Sequence, residues 1–255
     1  MRTYSLLTHH LQSAIRMWRE PFLFSLITFI MLTPTSPAGT IMAQVGQPRN
    51  DFAIGASAGY LMTRMDFTPT IKQSYKSSPT FGLTARYICE KYFTTICGVQ
   101  MELNFANIGW KELIEDGTDN TYSRDLTYIQ IPVLMQMGWG YERRGCKFIF
   151  EAGPQIGFNL GSTEHMGGTW DTTNRPNNVT GQYGLDVDHK FDYGIVGGAG
   201  IELSSSIGHF MLSARYYFGL GDVFDNSKKG IFGRSAHQTI SARFTYLFDI
   251  VKTKQ

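Results

Sequence analysis

The chain has 255 residues, with 23 Lys+Arg against 21 Asp+Glu and a formal charge of +2. That balance excludes the basic surface that nucleic-acid binding needs. Twenty-seven glycines, 14% aromatics and a slightly negative mean hydropathy exclude a soluble core of ordinary Leu/Ile/Val density.

At the N-terminus, Arg16 and Arg19 precede an apolar run from Pro21 to Leu32. Twelve residues fall short of the ~20 that cross a bilayer as a helix. Small residues follow, with Ile41-Met42-Ala43 before Gln44 as a cleavage site and Ser36-Pro37-Ala38 as a second. The order positive, apolar, small is that of a secretory signal peptide. Residues 1–43 are therefore read as a signal, with translation starting at Met17, and 44–255 as the exported domain. Its removal leaves twenty basic and twenty acidic residues. No cysteine near the cleavage site suggests a lipoprotein anchor.

Eight segments then show every second residue apolar, a period of two that sorts side chains onto opposite faces of a strand. They fall at about 51–62, 79–90, 94–107, 125–137, 146–160, 190–203, 208–219 and 237–248. In the second, Phe81, Leu83, Ala85 and Tyr87 alternate with Gly82, Thr84 and Arg86. In the seventh, Phe210, Leu212, Ala214, Tyr216 and Phe218 alternate with Met211, Ser213, Arg215 and Tyr217. Each segment reaches the ~9–11 residues of a tilted membrane strand. The connections alternate in length. Short ones follow the second, fourth and sixth strands, and longer polar ones (63–78, 108–124, 161–189, 221–236) follow the others. This is the layout of an outer-membrane barrel, with short turns inside the cell envelope and long loops outside. Pro132 and Pro154 each delete a ladder donor within a strand, so a local bulge is expected there.

The polar face decides between lipid and water. It carries Arg86, Glu102, Glu151, Glu202, Arg215 and Arg243, while the opposite face is nearly free of charge. Turned inward, these six form a paired network, because an unpaired buried charge is costly. Glycines on the same face leave room for the long side chains, and an eight-stranded barrel is just wide enough for side chains to fill. Tyr60, Tyr87, Trp139, Tyr141, Tyr193 and Tyr246 fall near strand ends, where interfacial aromatic girdles belong. The fold expected is all-β: an eight-stranded antiparallel up-and-down transmembrane β-barrel.

Catalytic and metal chemistry is thin. The three cysteines lack CxxC spacing. Cys89 and Cys97 share face parity about one turn, which leaves open a disulfide or a pair of lipid-facing thiols; Cys146 has no partner evident in the sequence. Pairing of His165 with Glu164, or of His189 with Asp186 and Asp188, is outweighed by reading them as solvated loop residues. Ser162, His165, His189 and His237 are the set from which a rim-active lipid A-modifying enzyme would have to draw a nucleophile and base. The loop 161–189 reads as a mobile extracellular flap. No cofactor is implied.

Tyr128-Ile129-Gln130-Ile131-Pro132-Val133-Leu134, Glu151-Ala152-Gly153-Pro154-Gln155-Ile156-Gly157 and the stretch Asp192 to Glu202 resemble the PorT-like outer-membrane β-barrel family of Bacteroidetes. Arg215 to Leu220 and Phe244 to Phe248 fit it too. The resemblance implies an eight-stranded barrel in the outer membrane of a Gram-negative cell, in some members linked to the type IX secretion apparatus. It carries no catalytic residues. The expectation is a non-enzymatic outer-membrane protein in contact with outer-membrane lipids. It would meet a protein partner through its extracellular loops or its periplasmic face. A lipid A-modifying enzyme and a small ion pore are the alternatives.

Overall fold

Alternation of apolar and polar side chains runs along each long strand of a computed structural model of the protein, the first beginning at Gly46 and the last ending at Val251. The structure describes residues 46–115, 117–141, 144–169, 182–226 and 230–253. All belong to the unit Val45–Gln255. The signal-peptide reading of residues 1–43 lies outside the described residues.

The strands are β1 (Gly46–Thr68), β2 (Gln73–Ser74), β3 (Lys76–Tyr92), β4 (Thr95–Glu112), β5 (Thr121–Gly140), β6 (Gly145–Gly167), β7 (Phe191–Ser205), β8 (Gly208–Gly219) and β9 (Arg234–Val251). Every long strand pairs antiparallel with its neighbours, β1 closes on β9, and β4 pairs with β5. The result is a closed ring of eight strands with no free edge. β2 is a two-residue addition to the end of β4, where Gln73 faces Glu112.

The strands run past the expected bounds, mainly at the long-loop end. β1 continues to Thr68, β4 to Glu112, and β6 to Gly167. The long loops shrink accordingly. The turn between β3 and β4 is reduced to Phe93 and Thr94, with Phe93 at φ 53°.

Two local expectations need correction. No bulge forms at the prolines. Pro132 faces Gln155 and Met135 faces Ala152 in one unbroken register, and the ladder simply skips the two pairs between them. The missing proline donor removes hydrogen bonds without adding a residue. The β5–β6 shift lies elsewhere: Tyr128 faces Asn159 and Thr127 faces Gly161, so Leu160 is the extra residue. The second correction concerns the cysteines. Cys97 faces Glu90, not Cys89, because the register slips between Ile88 and Glu90. Cys89 donates its thiol hydrogen to the Cys97 carbonyl at 3.4 Å, and all three cysteines are free.

Outward faces carry a continuous apolar belt that includes Phe81, Leu83, Met101, Phe105, Met135, Phe150, Ile195, Leu212 and Phe244. Leu83 is 64% exposed and Tyr141 70%. In water such a belt would be a large uncovered hydrophobic surface; in a bilayer it faces acyl chains. Tyr87, Trp139 and Tyr141 ring the short-turn end, and Tyr60, Tyr193 and Tyr216 stand toward the other.

Candidate functional site

The lumen is where this chain departs most from an ordinary protein interior. Strand β8 shows its order along the axis. From the short-turn end its inward residues are His209, Met211, Ser213, Arg215 and Tyr217, all buried. His209 belongs to a lower ionic cluster, Arg215 to an upper one, and Tyr217 to a polar layer beneath an aromatic plug.

All six ionic residues singled out in the sequence are buried in the lumen. Arg215 is the hub of the upper cluster. Its Nη1 and Nη2 donate to Glu102 at 2.9 and 2.8 Å, while its Nε and Nη2 donate to Glu151 at 2.5 and 3.1 Å. A guanidinium gripping two carboxylates by two edges is the geometry in which arginine is strongest. Arg243 stands 3.6 Å from Glu102 and donates to Asn104 and Ser57. Gln100 and Asn104 donate to the Glu102 oxygens at 2.6 and 2.9 Å. Two arginines thus balance two glutamates. Gly198 and Gly59 make the fit: a Cβ on them would sit 2.8 Å from Arg215 Cγ and 3.0 Å from Arg243 Cγ.

Glu202 organises the lower cluster. Arg86 Nη1 lies 2.6 Å from it, Lys147 Nζ 2.9 Å and His209 Nδ1 2.7 Å. His209 Nε2 stands 3.0 Å from Asp249. Lys147, His209 and Asp249 were not among the residues picked from the sequence. Parity could have found them, since Lys147 alternates with Phe148 and Phe150, and Asp249 with Phe248 and Ile250.

Above the upper cluster, Tyr217 donates to Asp192 at 2.8 Å, and Tyr128 stacks edge-on against His237 with ring centroids 5.4 Å apart. Higher still the lumen becomes apolar. Leu61, Met65, Phe67, Ile108, Trp110, Tyr122 and Leu126 from the wall meet Ile71, Val223, Phe224 and Phe232 from the loops. Phe67 stands 5.1 Å from Trp110 and 4.9 Å from Phe232, centroid to centroid.

The long loop after β6 is not the flap expected, over the part described. Residues 161–167 continue β6, and residues 182–187 are tied to the wall. Gln182 and Tyr183 donate to Glu112 at 2.9 and 2.6 Å, Arg124 Nη2 donates to the Leu185 carbonyl, and Gly184 N donates to Glu164. Tyr183, Leu185 and Val187 pack on the plug, so apolar burial holds the segment in place. Residues 170–181 lie outside the described residues.

The proposed nucleophile and base residues do not gather. Ser162 turns inward and accepts from Arg124 Nε at 2.7 Å. His165 turns outward, 3.5 Å from Asp125. His237 is wholly buried on β9, and His189 sits in the loop before β7. Among the described residues no group of three metal-ligating side chains forms.

A closed ring of eight antiparallel strands, with charges within and an apolar belt without, defines a β-barrel of the outer-membrane type. The profile of the outer membrane protein beta-barrel domain matches residues 42–225, and the chain belongs to that family. No curated protein matches the sequence. Among solved structures, the outer membrane enzyme PagL is similar at 12% identity over 76% of this chain and 97% of that one, with a TM-score of 0.41. Neisserial surface protein A is similar at 11% over 77% and 97%, with a TM-score of 0.39. Ail, the attachment invasion locus protein of Yersinia pestis, in complex with a heparin analogue, is similar at 14% over 78% and 99%, with a TM-score of 0.35.

Proposed function

We propose that the protein is a non-enzymatic outer-membrane scaffold whose filled barrel holds its loops in place for a protein partner. The observation that carries this reading is the filling of the lumen. Two ionic clusters and an aromatic plug occupy it in succession, and loop residues Phe224, Phe232 and Leu185 are built into the plug itself. Such loops are held as a shaped surface, which suits recognition better than passage of solutes. The PorT-like resemblance of the segments from Tyr128, Glu151 and Asp192 supports a place in a secretion assembly, with Bacteroidetes as the source. The signal-like residues 1–43 support export. The test is photo-crosslinking in intact cells from loop positions (Asp186, Lys111) and turn positions (Tyr92, Ser206). A single discrete adduct from the loops is expected. Adducts from the turns alone would move the partner to the periplasmic face, and none from either would overturn the scaffold reading.

One observation favours a rim enzyme, with His165 kept from the sequence-derived set but Ser123 and Asp125 in place of its other members. On the outward face at the long-loop end, Ser123 lies directly opposite His165, and His165 stands 3.5 Å from Asp125. Asp125 is also in contact with Lys76 and accepts from Asn107 at 3.3 Å. Mass spectrometry of lipid A from cells expressing wild type, Ser123→Ala or His165→Ala separates the two readings. An acyl pattern altered by wild type and restored by either variant would establish the enzyme.

A further inference from the structure

The closed ring has no free edge, but at the long-loop end two groups of strands, β9–β1 and β4–β5–β6, run on past it and expose four edges. Three of these are capped. Where β1 outruns β3, the Gln73 amide bonds the N and O of Met65 at 3.0 and 2.8 Å. Where β4 outruns β3, β2 pairs at Glu112, and the hydroxyls of Ser78 and Thr63 bind the carbonyls of Asn107 and Gly109. Where β9 outruns β8, Ser235 gives its N–H to Asp222 and takes that of Val223 on its carbonyl. The fourth edge is that of β6. Its last partner on β7 is Phe191, opposite Phe158, and the last main-chain bond on that side runs from Asn159 N to Lys190 O at 2.7 Å. Gly161 to Gly167 then continue in unbroken register with β5 alone. Among the described residues nothing bonds their backbone on the other side.

We propose that this edge of β6 takes an extended segment of a partner protein as an added strand. The inference rests on the scaffold reading above and says which surface the partner meets. An unpaired strand edge is a row of main-chain donors and acceptors, and an extended backbone is what completes it. Asn159 turns its N–H toward β7; with Leu160 inserted, alternation passes that direction to Ser162, Glu164 and Met166, while the residues between them turn toward β5. Exposure follows the same break. Buried and exposed residues alternate along β6 as far as Asn159, whereas 160–163, 165 and 166 are all exposed. Gly161 to Gly167 also contain no Lys or Pro, the residues that commonly blunt an edge.

A groove of about 570 Å³ runs along this edge, with Gly161 and Ser162 on one side and Leu185, Asp186, Val187 and Lys190 on the other. Leu185 and Val187 are partly buried against the plug, so one face of the added strand meets apolar side chains and the other faces solvent. The same loop decides the occupant. A second barrel bringing its own β6 to the ~4.8 Å spacing of paired strands would drive the two loops into each other, whereas a single extended chain enters between loop and edge.

Selection of a random linear peptide library against the folded protein in phosphatidylcholine nanodiscs tests the edge. Enriched peptides are expected to slow hydrogen exchange at Ser162, Glu164 and Met166. N-methylation of alternate peptide amides should weaken binding about tenfold or more in one phase and leave it unchanged in the other, because only one set faces β6. Met166→Pro should weaken it similarly, since the N–H it removes is one that β5 does not use; the heat-dependent gel shift checks that the variant remains a folded barrel. No enriched peptide, unchanged exchange at the edge, or equal binding by both methylated phases would each overturn the proposal. A dimer in native mass spectrometry with the same protection would put a second copy on the edge and overturn it too. A crosslink from Asp186 without protection of the β6 edge would leave the scaffold reading standing and remove the added strand alone.

Discussion

The two halves of the lumen are built on opposite rules. Toward the short turns the interior is ionic, with Arg215, Glu102 and Glu151 locked edge to edge and Glu202 shared among three nitrogen donors. Toward the long loops it is an ordinary hydrophobic core, where Trp110, Phe67 and Phe224 pack as they would in a soluble protein. The same alternating strands serve both. What changes is the surroundings. Within the belt the apolar residues face outward and leave the polar set to fill the axis. Beyond the belt, loop side chains fold in, and wall and loops bury apolar area against one another.

The contrast can be broken first at Arg215. Arg215→Ala leaves Glu102 and Glu151 buried with most of their compensation gone, and a loss of about 3–5 kcal/mol is expected for removing one member of a buried ionic group. The midpoint of urea unfolding, followed by gel mobility in detergent, reads it. Phe224→Ala empties part of the plug and is expected to cost about 3 kcal/mol, confined to the loop half. Hydrogen exchange should quicken around Trp110 and Leu185 while the β8 amides near Arg215 stay protected. Leu83→Arg, on the lipid face midway along β3, should lose about 2 kcal/mol, and folding yield into bilayers should fall with it. A sharper test replaces Glu102, Glu151, Arg215 and Arg243 together by Met. Apolar substitutes for a whole buried ionic group are often near neutral, so stability within about 1 kcal/mol of wild type is expected, against the large loss for Arg215 alone. Smallest is Lys72→Ala, which removes an exposed pair with Glu115; a change below about 1 kcal/mol is expected.

Much of the wall was legible because a period of two survives any tertiary detail. Phe81, Leu83 and Tyr87 face out and Thr84 and Arg86 face in, as alternation requires. The plug was not legible, because inward Leu61, Phe67 and Trp110 are apolar on a face that elsewhere is polar. Nothing local distinguishes them from lipid-facing residues until the loops that cover them are known. Lys147 and His209 were missed although their parity is plain. Of the two readings left open for Cys89 and Cys97, the free thiols are the one seen; the two do not face each other because of a register slip, which is set by the backbone around one residue and leaves no mark on the pattern. Ser162 and His165 do not meet for a plainer reason: three residues apart on one strand, they face opposite sides of the wall.

The single inserted residue in β6, Leu160, has a consequence of its own. Past Leu160, Ser162 and Glu164 point to the axis only because the count has slipped by one, and they hold Arg124, Tyr122 and the backbone of Gly184. Excising Leu160 would leave a tidier hairpin, yet it would swing each of those anchors toward the outside and cut the mooring of residues 182–187. An irregularity in the weave is thus what fastens the outer surface to the barrel.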